Sequence, residues 1–209
     1  MGVRSRALTT FVALAVTGAL ATACAPAQQP QTPTAAVPTA APTPTPEPTE
    51  ADPYAIPDEI DEAYVERVLE ALNEGLVRAT RVVAEKERVN GEAKKALGYT
   101  HLPEAQRGYV SIYREVLRGN GSVRLREDAE AVDIVSVDRI VSATDSCIFA
   151  MVTQDSSGLV QGRVEPFPVY YHLVRSTRSN DFNPTPWMVA ADAEPPPNGK
   201  EFKDRCAEG

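Results

Sequence analysis

A proline- and threonine-rich segment divides this chain into a part that can fold and a part that cannot. From Ala25 to Asp52 the sequence contains eight prolines and six threonines, and Val37 is its only strongly apolar residue apart from alanine and proline. Such a segment buries too little apolar surface to offset the conformational entropy lost on ordering. We therefore expect residues 24–53 to form a disordered, extended tether, in which the prolines favour the polyproline conformation.

The first 23 residues have the three-part layout of an export signal. Arg4 and Arg6 precede an apolar run over residues 7–20, and three small residues follow. This layout is typical of a secretory signal peptide, so we expect residues 1–23 to be removed. The alternative is an uncleaved membrane anchor, but the run is shorter than the roughly 20 apolar residues that span a bilayer.

Cys24 follows that signal directly, in the stretch Leu20-Ala21-Thr22-Ala23-Cys24. This stretch resembles the lipobox of bacterial lipoproteins, in which a cysteine after small residues is acylated and becomes the amino terminus. Those boxes most often carry leucine three residues before the cysteine, where this chain has Ala21. The resemblance implies a lipid on Cys24 that anchors the chain at the outer face of the cell membrane. The alternative is ordinary secretion with Cys24 as an unpaired or dimer-forming thiol.

The acidic balance of the chain argues against one class of partner. The sequence has 21 Lys and Arg against 29 Asp and Glu, a formal charge of -8. Loss of Arg4 and Arg6 with the signal would change this charge to -10, since no acidic residue is lost with them. An acidic surface repels phosphate groups, so we expect no nucleic-acid partner.

The remaining residues, 54–209, have the composition of one folded domain. Apolar residues spaced three and four apart predict a long helix capped by Asp58 and ending near residue 88. Residues 90–91, Asn-Gly, predict a break after it. A second helix is predicted over residues 103–117, and the glycines that follow are expected to end it. Its residues form one apolar stripe: Tyr109, Ile112, Tyr113, Val116 and Leu117.

The second half of this domain changes to the periodicity of strands. Short runs of β-branched and aromatic residues, separated by turn sequences, predict four strands. These runs cover residues 132–141, 147–153, 169–175 and 187–191. The first run has apolar residues at both odd and even positions, which predicts a bent or bulged strand. Helices followed by strands indicate an α+β fold, with N-terminal helices packed on a bent, mostly antiparallel sheet of about four strands.

The order of these elements, ending in the strand sequence "PWMVAA", is similar to the nuclear-transport-factor-like, or cystatin-like, α+β cone. The resemblance covers roughly residues 60–191. The whole chain also resembles the small tethered cell-surface lipoproteins of high-GC actinobacteria. In that setting the resemblance implies a noncatalytic domain that binds a small hydrophobic or cell-envelope ligand, or a partner protein.

Two further cysteines remain once Cys24 is assigned to the anchor. Exported chains usually pair their thiols, so we predict a disulfide between Cys147 and Cys206 that closes a loop of about 59 residues. The alternative, a redox-active pair, lacks the closely spaced cysteines that such a site uses.

Candidate catalytic residues are few. Neither His101 nor His172 stands at metal-ligand spacing, and no cofactor motif occurs, so we expect neither a metal nor a cofactor. His172 and Tyr171 lie on one predicted strand, and a carboxylate such as Asp138 or Asp145 could complete a proton-transfer set.

Three functional hypotheses follow. The favoured one is a noncatalytic ligand-binding or partner-binding domain on a membrane-anchored lipoprotein. The alternatives are a cone-fold enzyme that performs acid–base chemistry on a small ligand, and a structural spacer in the envelope. The enzyme requires a histidine, a tyrosine and a carboxylate to meet in one concave pocket, which distinguishes it from the other two.

Overall fold

A computed structural model describes residues 52–119, 123–177, 180–196 and 202–207. The predicted signal peptide, Cys24 and nearly all of the predicted tether lie outside these ranges. The described residues form an α+β domain, as the sequence predicts, and it contains three helices and two antiparallel sheets where two helices and one sheet are expected. The helices are α1 (Glu62–Lys86), α2 (Gly91–Gly98) and α3 (Pro103–Leu117). The strands are β1 (Arg124–Leu125), β2 (Asp133–Ala143), β3 (Cys147–Asp155), β4 (Val160–Gln161), β5 (Phe167–Arg175) and β6 (Trp187–Ala193).

The start of α1 differs from the prediction. The N-cap is Asp61 and not Asp58, because the Asp61 carboxylate accepts a hydrogen bond of 2.8 Å from the backbone N–H of Tyr64. The helix ends at Lys86, two residues earlier than expected, where Glu87 adopts a left-handed conformation. Its apolar stripe packs onto the large sheet, which confirms the predicted amphipathic helix.

The predicted break after α1 is present and ends at Asn90, and a helix that is not predicted begins at Gly91. Asn90 caps α2 by accepting a 2.9 Å hydrogen bond from the backbone N–H of Ala93. Ala93, Ala96 and Leu97 are buried against α1 and α3, whereas the charged residues of this segment are exposed. The second predicted helix is α3, with Pro103 in its first turn and Leu117 at its end.

The large sheet has the strand order β2-β3-β5-β6, and all neighbours are antiparallel. Its four strands match the predicted runs to within two residues at each end. Three register shifts along β2 confirm the predicted bulged strand. They place Val137 opposite Val152 and Ile140 opposite Ala150 on the face that packs against the helices. The small sheet of β1 and β4 was not predicted, because two-residue strands leave no periodic pattern.

The two faces of the large sheet have different partners. The inner face meets α1 and contributes most of the core, with Trp187 fully buried and its indole N–H donating to the Tyr64 hydroxyl at 2.8 Å. The outer face carries Phe149, Tyr170 and His172 and lies under the C-terminal segment 202–207.

A disulfide between Cys147 and Cys206 holds that C-terminal segment on the outer face, as the sequence predicts. Phe202 makes an edge contact with the Tyr170 ring at 5.1 Å between centroids. Asp204 accepts a 2.5 Å hydrogen bond from the Ser142 hydroxyl. The disulfide and these two contacts tie the chain end to β2, β3 and β5.

The segment between α2 and α3 pairs with β6. The backbone N–H of Leu102 donates to the Val189 carbonyl at 2.8 Å, and the N–H of Val189 donates to the Thr100 carbonyl at 2.9 Å. This short pairing satisfies backbone groups that an edge strand would leave open. It also buries His101 completely.

Candidate functional site

A cleft of about 510 Å³ lies between α3, the small sheet and the ends of β5 and β6. Its walls are mostly apolar. They include Ile112 and Val116 of α3, Leu125 and Val160 of the small sheet, and Phe167 and Val169 of β5. Ile112 is 55 % exposed, so the apolar stripe predicted for this helix is not fully buried and part of it borders the cleft.

A few polar side chains with hydroxyl or carboxylate groups lie along this otherwise apolar cleft. The Tyr109 hydroxyl donates a 2.8 Å hydrogen bond to Oδ2 of Asp192. The Tyr113 hydroxyl lies 2.9 Å from Oγ1 of Thr80, and both residues line the cleft. An apolar cleft with a few convergent polar groups is the usual form of a small-molecule site.

A register shift in β6 turns Asp192 toward the helices. Leu173 pairs with Val189, whereas His172 pairs with Ala191, so Ala190 is an extra residue on β6. Beyond this point the side chains of β6 exchange faces, because successive residues of a strand alternate. Asp192 therefore stands opposite Tyr171, on the inner side of the sheet.

A second buried hydrogen bond supports the floor of the cleft from below. Tyr171 is fully buried, and its hydroxyl donates to Oε1 of Gln154 at 2.6 Å. Gln154 itself lines the cleft. Since a buried polar group without a partner costs about 1–3 kcal/mol, this bond stabilises the arrangement of β3 and β5 under the site.

Burial raises the pKa of Asp192 above its usual value, and the hydrogen bond from Tyr109 partly opposes that shift. Burial also raises the pKa of Tyr109 well above its usual value, with further contributions from the Tyr171 and Asp192 charges. The pKa of Tyr113 is raised to about 12 by burial. These phenols therefore stay protonated near neutral pH and act as hydrogen-bond donors.

The structure does not bring the sequence-predicted catalytic residues together. Tyr171 lies on the inner face, whereas His172 lies on the outer face beside Phe149, with 6.5 Å between ring centroids. Asp138 is exposed on β2, where its carboxylate accepts hydrogen bonds from Ser136 at 2.6 Å and from a β3 hydroxyl at 2.8 Å. The alternative carboxylate, Asp145, is exposed in the turn before β3.

His172 occupies a small outer depression with the C-terminal segment. Burial lowers its pKa, and the positive charge of Arg205 lowers it further, while Asp204 opposes both effects. The depression has a volume of only about 20 Å³, which leaves no room for a substrate beside the ring. His172 therefore acts as a packing residue between β5 and residues 202–207.

The pair that the structure does bring together, Tyr109 and Asp192, is not predicted from the sequence. Tyr109 was assigned to an apolar helical stripe, and Asp192 lies just past the predicted end of the last strand. The sequence does offer one signal for this pair, which is the tyrosine at position 109 on an apolar stripe. A buried tyrosine usually has a polar partner for its hydroxyl.

Two buried polar side chains keep atoms without a hydrogen-bond partner among the described residues. They are the side-chain amide of Asn73 in α1 and Nε2 of His101. Nδ1 of His101 lies 2.7 Å from Oγ1 of Thr100, and burial lowers the pKa of His101 to about 3. The His101 ring is therefore neutral, and it packs edge-on against Tyr109 at 5.2 Å between centroids.

Within the described ranges, no cluster of three or more His, Cys, Asp or Glu side chains is arranged to hold a metal ion. Among these same residues, every helix is too short or too polar to cross a membrane. A scan against protein-family models, a search of curated proteins and a search of solved structures find no match to this chain. The lipoprotein and cone-fold resemblances therefore stay predictions.

Proposed function

We propose that this protein is an exported lipoprotein, anchored through Cys24 at the outer face of the membrane, whose domain binds a small hydrophobic or cell-envelope ligand. The observation that carries the binding role is the cleft of about 510 Å³ with apolar walls and a few convergent polar groups. Its volume falls within the range of about 300–1,000 Å³ that is usual for ligand pockets.

The walls of the cleft supply the affinity. Apolar side chains from α3, the small sheet and β5 face the same space, and each Å² of apolar surface removed from water contributes about 25 cal/mol. The hydroxyls of Tyr109 and Tyr113 fix the orientation of a polar group on the ligand. This combination suits an amphipathic molecule, with its chain between the walls and its polar end at Asp192.

The arrangement favours binding over chemistry. Tyr109 and Asp192 already satisfy each other, and no histidine or cysteine lines the cleft in the part of the chain that the structure describes. The histidine proposed for proton transfer, His172, lies on the opposite face of the sheet. A ligand in the cleft therefore meets hydrogen-bonding groups but no activated nucleophile.

A neutral fluorescent probe tests the binding role. The full chain carrying Cys24→Ser, which removes the acylation site, is titrated with N-phenyl-1-naphthylamine. We expect a saturable rise in fluorescence with one probe per chain. Val160→Phe, which narrows the cleft from β4, should weaken binding by about tenfold, the equivalent of about 1.4 kcal/mol.

The matched control is Val135→Phe, the same change at an exposed position of β2 that does not line the cleft. It should leave the affinity for the probe unchanged. Absence of saturable binding to the unsubstituted cleft would overturn the binding role and favour the structural spacer.

The anchor has its own test. Wild-type protein from its native cells should sediment with membranes, and the Cys24 peptide should carry the mass of acyl chains. The Cys24→Ser chain should move to the soluble fraction, because the buried methylenes of the lipid, each worth about 0.8 kcal/mol, are then absent. A soluble wild-type protein with an unmodified Cys24 would contradict anchoring.

A second candidate function rests on the hydrogen bond between Tyr109 and Asp192. A buried carboxyl group with a raised pKa next to a phenol is the kind of pair that performs acid–base chemistry. If the protein is an enzyme, a ligand extracted with it should change mass on incubation with the protein. Asp192→Asn should abolish that change. Recovery of the ligand unaltered supports the binding role.

A further inference from the structure

The charge in the cleft has one sign, and this limits the ligands that the proposed function allows. The charged residues that line the cleft are Asp192 and Glu194, and within the described ranges no Lys, Arg or His joins them. A carboxylate removed from water without a cationic partner is costly, so an incoming positive charge would find favourable surroundings.

Asp192 can still accept hydrogen bonds from a ligand. A carboxylate offers about four acceptor positions, of which the Tyr109 hydroxyl uses one at Oδ2. The extra residue at position 190 turns the carboxylate inward, and the side chain is partly exposed where the cleft opens.

The elements packed around this carboxylate add no cation. The titratable groups that face it are the Tyr109 hydroxyl of α3 and the Tyr171 hydroxyl of β5, with Tyr113 deeper along α3 and Glu194 at the end of β6. All three phenols are neutral near pH 7, and Glu194 is an exposed acid. The only full charges that the cleft presents are negative.

We propose that the cleft selects amphipathic molecules with a protonated amine as the polar end and rejects carboxylates with the same apolar chain. This inference rests on the proposed function, since it assigns the chemistry of the ligand to the same cleft. An ammonium group donates up to three hydrogen bonds and offsets the charge of Asp192. A fatty acid brings a second negative charge to the same low-dielectric space.

Three probes with one chain length separate these cases. Decylamine, decanol and decanoate compete with N-phenyl-1-naphthylamine for the Cys24→Ser chain near pH 7, where the amine is protonated and the acid ionised. We expect decylamine to bind at least about tenfold more tightly than decanol, and decanol at least about tenfold more tightly than decanoate. Equal affinities for the three would overturn the proposal while leaving the hydrophobic binding role intact. Failure of all three, together with failure of the fluorescent probe to bind, would overturn both.

Two substitutions that each remove one negative charge provide the matched comparison. Asp192→Asn should abolish the preference for decylamine over decanol, because the neutral amide cannot offset the ammonium. Glu66→Gln changes the net charge equally but lies exposed on α1 and does not line the cleft, so it should retain the preference. The same loss in both variants would mean that the amine responds to the overall acidity of the protein, and the proposal would then be wrong.

A measurement on the protein without either substitution tests the proposal even if these variants fail to fold. Because the carboxyl group of Asp192 becomes neutral when it binds a proton, the preference for decylamine should fall as pH is lowered through its raised pKa. A preference that is unchanged down to about pH 3 would contradict the role of Asp192.

Discussion

The two faces of the large sheet carry similar side chains but differ in what covers them. On β5, Tyr171 points to the inner face, is fully buried and donates its hydroxyl to Gln154. Its neighbours Tyr170 and His172 point to the outer face, where the C-terminal segment 202–207 covers them. The inner cover is a helical layer that opens into a cleft at one end, whereas the outer cover is a short segment fastened by a disulfide.

This difference shows that burial alone does not make a site. Both faces bury aromatic rings, but the outer depression of about 20 Å³ is filled by its own cover, whereas the inner cleft retains about 510 Å³. On the inner side α3 contacts β6 through Tyr109 and Asp192, but it leaves an open cleft between itself, the small sheet and β5.

Removal of the disulfide should break the outer cover and leave the inner face intact. The double variant Cys147→Ala/Cys206→Ala opens a loop closed over a separation of 59 residues. The chain-entropy estimate then predicts a loss of about 4 kcal/mol in the free energy of unfolding, measured by urea denaturation. Binding of the neutral fluorescent probe below the unfolding transition should persist, because no cleft residue is changed. Loss of binding in the folded variant would show that the two faces are coupled.

The pH dependence of stability should differ between the two histidines. Burial lowers the pKa of His101 from 6.5 to about 3, so the folded chain binds fewer protons than the unfolded chain between these values. The folded state is therefore at its most stable, as far as His101 is concerned, above the pKa that this histidine has in the unfolded chain. It loses stability as pH falls below that value. Between about pH 7 and pH 5 this histidine should remove about 2 kcal/mol from the free energy of unfolding.

His101→Gln should flatten this pH dependence, as measured by urea denaturation at each pH. His172→Gln should flatten it less, because His172 is only half-buried and its pKa is lowered less completely. Both variants retain Asp192, so the opposite effect of that carboxyl group cancels in the comparison. A larger change from His172 than from His101 would contradict the assignment of His101 as the more deeply buried group.

The smallest effect should come from a pair of neighbouring hydroxyls. Tyr171→Phe leaves Oε1 of Gln154 without its buried donor and should cost about 1.5 kcal/mol. Tyr170→Phe removes an acceptor for Arg139 at 3.1 Å in a partly exposed place and should cost about 0.5 kcal/mol. Chemical denaturation measures both changes. Equal costs would mean that the two faces bury their polar groups equally.

Local patterns were sufficient to predict much of the fold. The spacing of apolar residues identified α1 and α3, and runs of β-branched residues identified β2, β3, β5 and β6. Apolar residues at both parities predicted the bulged strand, because a regular strand cannot bury both sets on one face. These local patterns did not predict on which face of the sheet the Val137 side chain lies, because the positions of the bulges depend on pairing with β3.

Short elements were harder to predict. The α2 sequence is rich in charge, and only its packing against α1 and α3 makes Ala93 and Leu97 core residues. The cap of α1 was predicted three residues too early, because Asp58 and Asp61 are chemically equivalent choices. The hydrogen bond to Tyr64 selects Asp61.

The sequence by itself determined the division of the chain into a proline-rich segment and a foldable domain, the order of the main helices and strands, and the pairing of Cys147 with Cys206. Composition and periodicity carry the first two, and the small number of cysteines carries the third, because only one pairing leaves Cys24 for the proposed anchor. Only the tertiary structure decided the site. Tyr109 and Asp192 are 83 residues apart and meet because α3 packs across the sheet and one extra residue in β6 reverses the direction of a side chain. The single-residue bulge in β6 leaves no trace in the pattern of that short strand, but it determines whether a carboxylate faces solvent or an apolar cleft.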